Sequence, residues 1–129
     1  MKKINLAITG CLGRMGQQII KSVKNDKNFK LVAITESKKR DKKINGVKID
    51  INTEQAFKKA HLIIDFTVPK CTFQILRIAT KLKKRVVIGT TGFTKKEENL
   101  IEKFRKIENE KSNPSIKKFF QKAKSFWNS

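Results

Sequence analysis

Apolar residues follow two alternating patterns along the first hundred positions of this chain. Four short runs are rich in isoleucine, valine and leucine, as buried strands are, and they cover residues 4–8, 29–35, 61–66 and 85–88. Between them lie longer segments whose apolar residues recur every three or four positions. These predict helices over residues 14–25, 53–60 and 70–83, and one more from residue 94 onward. Strands that alternate with helices predict an α/β fold with a doubly wound parallel sheet.

The helical segments also carry signals for their ends and their buried faces. Asn52 or Thr53 suits the cap of the second helix, and Thr94 and Glu97 form a capping box before the last one. Residues 37–50 are polar and rich in lysine, which predicts a loop with at most a short strand at 47–51. The predicted inward faces consist of Met15, Ile19, Ile20 and Val23; of Ile75, Leu76, Ala79 and Leu82; and of Leu100, Ile101, Phe104 and Ile107.

The chain is 129 residues long, which suits one domain, and its character changes near residue 106. We therefore predict an α/β domain over residues 1–106, followed over residues 107–129 by a polar linker and an amphipathic helix. Pro114 suits the first turn of that helix. One face of that helix is apolar and consists of Ile116, Phe119, Phe120, Ala123, Phe126 and Trp127. Such a face favours docking on the parent domain over contact with a membrane or a partner.

A glycine-rich turn links the first predicted strand to the first predicted helix. It reads Gly10, Cys11, Leu12, Gly13, Arg14, Met15 and Gly16, a GxxGxxG variant of the commoner GxGxxG pattern. Glycines let backbone N–H groups approach a pyrophosphate, and the helix N-terminus adds unpaired donors and a positive dipole. The turn predicts a dinucleotide-binding, Rossmann-like fold; the alternative is a merely tight strand–helix connection.

A carboxylate follows the second predicted strand. Glu36 comes twenty residues after Gly16, where such folds hold the ribose of adenosine, and this favours NADH. Its neighbours Ser37 and residues 38–40, two lysines and an arginine, are able to bind a 2′-phosphate, so NADPH stays open. The same cations equally suit an ordinary solvated loop.

The charge of the chain is strongly positive. Lysine and arginine number 31 against 11 acidic residues, a formal net charge of +20 at pH 7, which would suit an anionic partner. Lysine outnumbers arginine 26 to 5, however, which indicates A/T-rich codon usage more than phosphate recognition, for which arginine is preferred. The phenylalanines follow core periods rather than an exposed stacking surface, so we predict no specific nucleic-acid partner.

Composition also bears on the location of the protein. No apolar run approaches the roughly 20 residues of a membrane span, and the stretch after Lys3 is too short for a signal peptide. Cys11 and Cys71 have no disulfide or metal-binding spacing, so we expect a cytoplasmic protein with no metal site. The predicted helix N-terminus would lower the thiol pKa of Cys11; alternatively, Cys11 is only a small spacer.

Two further motifs narrow this interpretation. Ile64-Asp65-Phe66-Thr67-x-Pro69 ends the third predicted strand, and Gly89-Thr90-Thr91-Gly92-Phe93 follows the fourth. With the opening turn, and in this order, they resemble the cofactor domain of the 4-hydroxy-tetrahydrodipicolinate reductase (dihydrodipicolinate reductase) family. The resemblance runs over residues 2–106.

The resemblance implies a cytoplasmic, homotetrameric NAD(P)H enzyme of lysine biosynthesis through diaminopimelate. Such an enzyme reduces the dehydrated form of its cyclic substrate by hydride transfer. By resemblance, residues 10–15 wrap the pyrophosphate, Glu36 holds the adenosine ribose, and Gly89, Thr90 and Thr91 lie near the nicotinamide. We expect Asp65 to anchor the turn before Pro69 rather than to act in catalysis.

The chain also departs from this family. It lacks the H-H-x-x-K motif and the S-G-T turn of the substrate domain, and its one histidine, His61, opens a strand and is expected to be structural. We therefore expect a truncated member that binds NADH or NADPH, has no catalytic residue of its own and does not turn over the substrate. Whether it forms the family's tetramer is left open.

Three other classes of protein share part of this sequence pattern. Extended short-chain dehydrogenases share the glycine turn, but they need a catalytic Tyr-x-x-x-Lys and this chain has no tyrosine. A nucleotide-binding module without turnover, or one that depends on a partner, stays open. Titration with the cofactor separates both from a nucleic-acid binder.

Overall fold

The computed structural model describes residues 3–107, in which strands alternate with helices as predicted. The strands are β1 (Ile4–Thr9), β2 (Phe29–Thr35), β3 (Lys43–Ile44), β4 (Val47–Asp50), β5 (Leu62–Asp65) and β6 (Arg85–Ile88). The helices are α1 (Arg14–Lys24), α2 (Glu54–Phe57), α3 (Pro69–Leu82) and α4 (Lys95–Ile107). The predicted linker and terminal helix lie outside the described residues.

The six described strands form one sheet in the order β3-β4-β2-β1-β5-β6. Every pairing is parallel except that of β3 with β4. Without β3, the strands follow the Rossmann order, which reverses its direction between β1 and β5. The predicted α/β fold is confirmed, and the carboxyl ends of β1 and β5 flank the point where such sheets bind ligands.

Both faces of the sheet are covered, because successive residues of a strand point to opposite sides. In β1, Leu6 and Ile8 enter one core cluster with Ile19, Ile20 and Val23 of α1. Ala7 enters the other cluster, which contains Phe57 at the end of α2 together with Ile75 and Ala79 of α3. The continuous apolar runs of the central strands therefore reflect burial on both sides.

The polar segment after β2 contains more structure than the sequence analysis predicts. Residues 43–44 form β3, which pairs antiparallel with β4, so the prediction of a loop with at most one short strand is wrong for β3. Asn45 and Gly46 connect the two strands with φ of 51° and 80°, the left-handed conformations that a tight hairpin turn requires. The Asn-Gly pair was therefore an available signal for this hairpin.

The predicted helix caps at Thr53 and Thr94 are present. The Thr53 hydroxyl accepts a hydrogen bond from Ala56 N–H at 3.1 Å. At the start of α4, Thr94 Oγ1 accepts from Glu97 N–H at 3.2 Å, and Thr94 N–H donates to the Glu97 carboxylate at 2.9 Å. This reciprocal pair is the capping box that the sequence indicates.

The prediction of an inward face for α4 holds only in part. Ile101 is half-buried, but Leu100 is 41% exposed. The helix packs against α3, and β6 is the last strand of the described sheet, so no described strand extends beneath Leu100. The side chains of the other two residues of that face, Phe104 and Ile107, lie outside the described part.

Helix α1 approaches the end of β1 so closely that the contact is backbone against backbone. A Cβ atom added to Gly16 would lie 2.2 Å from the Gly10 carbonyl oxygen. The carbonyl oxygen belongs to the backbone and cannot move aside as a flexible side chain would, so a methyl group at Gly16 forces the helix away from the strand. This contact fixes where α1 begins relative to the sheet.

We expect Gly16→Ala to lower the free energy of unfolding by about 1–3 kcal/mol, because the added methyl overpacks a rigid contact. Urea denaturation measures the effect. Gly13→Ala is the matched control: its Cβ would lie 3.3 Å from the same carbonyl oxygen and at an exposed position, so stability should fall less than in Gly16→Ala. Equal stability of the two variants would contradict this account of the packing.

Candidate nucleotide-binding site

The glycine turn lies at the carboxyl end of β1, as predicted. Gly10 has φ of +64°, and a Cβ there would lie 2.1 Å from the Phe66 carbonyl oxygen, so both conformation and space require glycine. Cys11 N–H donates to the Thr35 carbonyl at 3.2 Å, and Gly13 N–H donates to the Gly10 carbonyl at 3.0 Å. These contacts hold the turn against the ends of β2 and β5.

The N-terminus of α1 is suited to an anion. Gly13 is the capping residue and provides no side-chain hydrogen bond, and the first turn of α1 contains no acidic residue. The first N–H groups of an α-helix have no acceptor within the helix, and the helix dipole makes this end positive. Gly13 and Arg14 are exposed, so this end of the helix is open to a ligand.

Glu36 reaches the turn from the end of β2. Its Oε2 accepts a hydrogen bond from Leu12 N–H at 2.7 Å, and its own N–H donates to the Asp50 carbonyl at 2.9 Å. The carboxylate is half-buried, and a carboxylate has further lone pairs for additional donors. The structure thus brings Glu36 and the turn together, while Ser37 and residues 38–40 are exposed beside them.

The second predicted segment, residues 89–92, follows β6 at the same edge. Gly89 N–H donates to the Asp65 carbonyl at 2.8 Å, and a Cβ on Gly89 would lie 2.2 Å from the Phe66 ring. Thr90 is buried and Thr91 is exposed. The end of β5 therefore lies between the two predicted segments and contacts both.

Asp65 joins the strands at this edge through its carboxylate, which is completely buried. Oδ1 accepts hydrogen bonds from the hydroxyls of Thr9 at 2.6 Å and Thr67 at 2.7 Å. Oδ2 accepts from the hydroxyls of Thr90, at 2.8 Å, and of Thr72 in α3. Asp65 does more than anchor the turn before Pro69, which was its predicted role.

Sequence reasoning missed Thr9, Thr67 and Thr72 as parts of this site. Thr9 is opposite Asp65 in the parallel pairing of β1 with β5, and Thr72 lies one helical turn into α3. Threonine is common in strands for its shape alone. Only the sheet register reveals that these hydroxyls converge on one carboxylate.

The expectation of a reactive Cys11 at the helix N-terminus is wrong. Its side chain is fully buried in the cluster beneath α1. Burial is the main cause, and the nearby Glu36 carboxylate the second, of a thiol pKa raised to about 11. The alternative, that Cys11 is a small apolar spacer, describes this residue.

His61 lies at the opposite edge of the sheet from the turn, before the amino end of β5. Its Nδ1 accepts a hydrogen bond from Asn5 N–H at 2.9 Å, and its own N–H donates to the Asn5 carbonyl at 2.8 Å. The expectation that this histidine is structural is consistent with its position. Over residues 3–107, no three histidine, cysteine or acidic side chains are grouped to hold a metal ion.

We expect a thiol reagent such as iodoacetamide to label the half-buried Cys71 before the buried Cys11 at pH 8. With a pKa of about 11 the Cys11 thiol is almost entirely protonated at pH 8, so its labelling should stay slow until urea unfolds the chain or the pH approaches that value. Mass spectrometry of Cys71→Ser, in which Cys11 alone remains, measures the rate. Labelling of this variant as fast as the parent would contradict the buried position.

Comparison with known proteins agrees with this geometry. Residues 4–111 match the family model described as dihydrodipicolinate reductase, N-terminus. The chain is 74% identical over 106 residues to the 4-hydroxy-tetrahydrodipicolinate reductase of Pelagibacter ubique (strain HTCC1062), an alignment that covers 82% of this chain and 41% of that protein. It is 38% identical over 114 residues to the enzyme of the same name from Buchnera aphidicola subsp. Acyrthosiphon pisum (strain 5A), covering 80% of this chain and 42% of that one.

Solved structures give the same result. The dipicolinate-bound dihydrodipicolinate reductase from Paenisporosarcina sp. TG-14 superposes with a TM-score of 0.70 at 27% identity, over 83% of this chain and 44% of that one. A D-galactose-1-dehydrogenase from Rhizobium etli, 24% identical with a TM-score of 0.65 over 84% of this chain and 35% of its own, shares the fold. The chain spans about two fifths of the length of the curated relatives it matches. By family model and by identity, it belongs to the dihydrodipicolinate reductase family and corresponds to the N-terminal domain.

Proposed function

We propose that this chain is the NADH- or NADPH-binding part of a 4-hydroxy-tetrahydrodipicolinate reductase. The observation that carries the proposal is the open N-terminus of α1, where Gly13 has no side chain and Glu36 reaches the turn from β2. A dinucleotide needs both an anion site and a ribose acceptor, and the two are adjacent here. The family supports the reduction of the cyclic substrate as the activity of the whole enzyme.

The pyrophosphate is proposed to lie at the turn formed by residues 10–16. The exposed Gly13 lets an anion approach the first N–H groups of α1 without meeting a Cβ. Gly10 and Gly16 serve the fold instead, because a Cβ on either would strike backbone. The three glycines of the motif therefore have two different functions, of which one involves the ligand.

Glu36 is proposed to accept hydrogen bonds from the adenosine ribose. Its Oε2 already accepts Leu12 N–H, which holds the carboxylate beside the turn. A 2′-phosphate would bring negative charge near this carboxylate, so Glu36 favours NADH, whereas Ser37 and the exposed cations at 38–40 favour NADPH. Glu36→Gln should therefore weaken NADH more than NADPH.

Gly89, Thr90 and Thr91 are proposed to lie near the nicotinamide, which supplies the hydride when the cofactor is bound. The Gly89 amide and the Thr90 hydroxyl are both held by Asp65, so this segment is fixed before any ligand arrives. A fixed segment loses little entropy on binding, which favours affinity and correct orientation. Thr91 is the exposed hydroxyl of the pair.

The substrate, the tetramer and a cytoplasmic location are part of the same proposal, and they rest on the family. No helix among the described residues is long and apolar enough to cross a bilayer.

The second candidate function is a nucleotide-binding module without turnover. The position of His61 favours it, because this is the one histidine of the sequence and it lies at the edge of the sheet opposite the turn.

We expect Gly13→Val to abolish or weaken NADH and NADPH binding by about tenfold or more, since the side chain would occupy the approach to the α1 N-terminus. Calorimetric titration measures the affinity. Gly13→Ala should give an intermediate loss, and unfolding in urea should show that both variants remain folded.

A polar residue farther along α1 provides the matched control for these variants. Gln18 is half-buried in the middle of the helix, so Gln18→Val adds the same side chain away from the turn. This variant should keep the affinity of the parent. The proposal fails if Gly13→Val binds nucleotide as tightly as Gln18→Val does.

We expect the 129-residue polypeptide by itself to bind cofactor without reducing the cyclic substrate. Transition-state charge must be met by preorganised donors, and exposed lysines on flexible stems do not provide them. The measurement is the nicotinamide absorbance with fresh substrate. Gly13→Val purified in parallel reveals activity from a contaminating host enzyme, and turnover by the parent above that background would contradict the expectation.

A further inference from the structure

The most constrained polar group in the described part of the chain is the carboxylate of Asp65. It is completely buried, and burying a charge is costly unless hydrogen bonds replace the lost water. A carboxylate can only accept hydrogen bonds, so the threonine hydroxyls around it must donate. Four threonine hydroxyls donate hydrogen bonds to this carboxylate: those of Thr9, Thr67, Thr72 and Thr90.

These hydroxyls belong to different parts of the site. Thr9 is the last residue of β1 and directly precedes the Gly10 turn, whereas Thr90 belongs to the segment after β6. The strands β1 and β6 are not neighbours, because β5 lies between them. The Asp65 side chain is therefore a buried polar group that joins the two segments.

Thr90 has a defined orientation in this network. Its hydroxyl donates to Asp65 Oδ2 at 2.8 Å and accepts Thr67 N–H at 2.9 Å, so both of its polar functions are used inside the protein. With 8% exposure, Thr90 turns its side chain inward rather than towards solvent. This hydroxyl is committed to holding the backbone of its own segment.

We propose that Asp65 is a positioning residue that holds the segment after β6 (residues 89–92) against the glycine turn (residues 10–16), so that one cofactor molecule can contact both. The inference rests on the proposed function, which places the pyrophosphate at one segment and the nicotinamide at the other. Thr90 acts through its hydrogen bond to Asp65 and not by touching the cofactor with its hydroxyl. Thr72, which binds the same carboxylate from α3, contributes stability only.

The first test compares two ligands on the 129-residue chain. NADH engages both segments, whereas ADP-ribose lacks the nicotinamide and engages only the turn. Thr90→Val should weaken NADH by about tenfold, the effect of losing one well-placed hydrogen-bond anchor, and change ADP-ribose less than about twofold. Thr90→Ser, which keeps the hydroxyl, should restore NADH binding.

Thr72→Val provides the comparison for a purely structural role. It removes a hydroxyl from the same carboxylate without altering either segment, so it should lower the melting temperature and leave the ratio of the two affinities unchanged. Equal losses of NADH and ADP-ribose in Thr90→Val, or the same ratio in Thr90→Val and Thr72→Val, would overturn the proposal. Failure of the parent to bind either ligand would instead refute the proposed function.

A second measurement tests the coupling without any ligand. Amide hydrogen exchange of the parent and of Asp65→Asn, which replaces one acceptor oxygen by a donor, reports on each segment separately. Exchange that becomes faster in residues 10–16 and in residues 89–92 together, relative to the rest of the sheet, is the expected result, and Thr72→Val should favour neither segment. Exchange that rises in one segment alone, or uniformly through the sheet, would show that Asp65 does not couple the two.

Discussion

Backbone packed on backbone at the carboxyl edge of the sheet is the constraint on which the rest of this structure depends. At Gly10 and Gly16 an added Cβ would lie within 2.2 Å of a backbone carbonyl oxygen, and at Gly89 it would lie 2.2 Å from the Phe66 ring. These approaches draw α1, the end of β5 and the segment after β6 into one compact region. Gly13, in contrast, is exposed at the start of α1.

Close packing at this edge excludes water from the polar groups inside it. Hydrogen bonds within the protein replace the lost water around Asp65. Its carboxylate accepts four hydroxyls in a space where an unpaired charge would be strongly destabilising. Hydroxyls are short and cannot follow a moving partner as a lysine can. The network therefore provides rigidity as well as solvation, and rigidity is what the proposed site of two segments would need.

Cys11 illustrates how burial overrides a local electrostatic rule. A helix N-terminus stabilises a thiolate when the sulfur faces it and is partly solvated. Here the side chain points into the cluster beneath α1, and Glu36 adds negative charge nearby, so burial and charge both raise the thiol pKa. The turn is thus suited to a bound anion at the exposed Gly13, whereas it disfavours a thiolate at the buried Cys11.

The sequence by itself determined the α/β class, the main strands, the long helices, the Thr94 cap and the association of the glycine turn with Glu36, because these depend on local periodicity and spacing; it left the cap of α2 open between Asn52 and Thr53. Tertiary structure decided the remainder. The convergence of Thr9, Thr72 and Thr90 on Asp65 depends on sheet register and on the position of α3. The burial of Cys11 and the exposure of Leu100 likewise depend on which elements lie over each residue, and no local pattern contains that information.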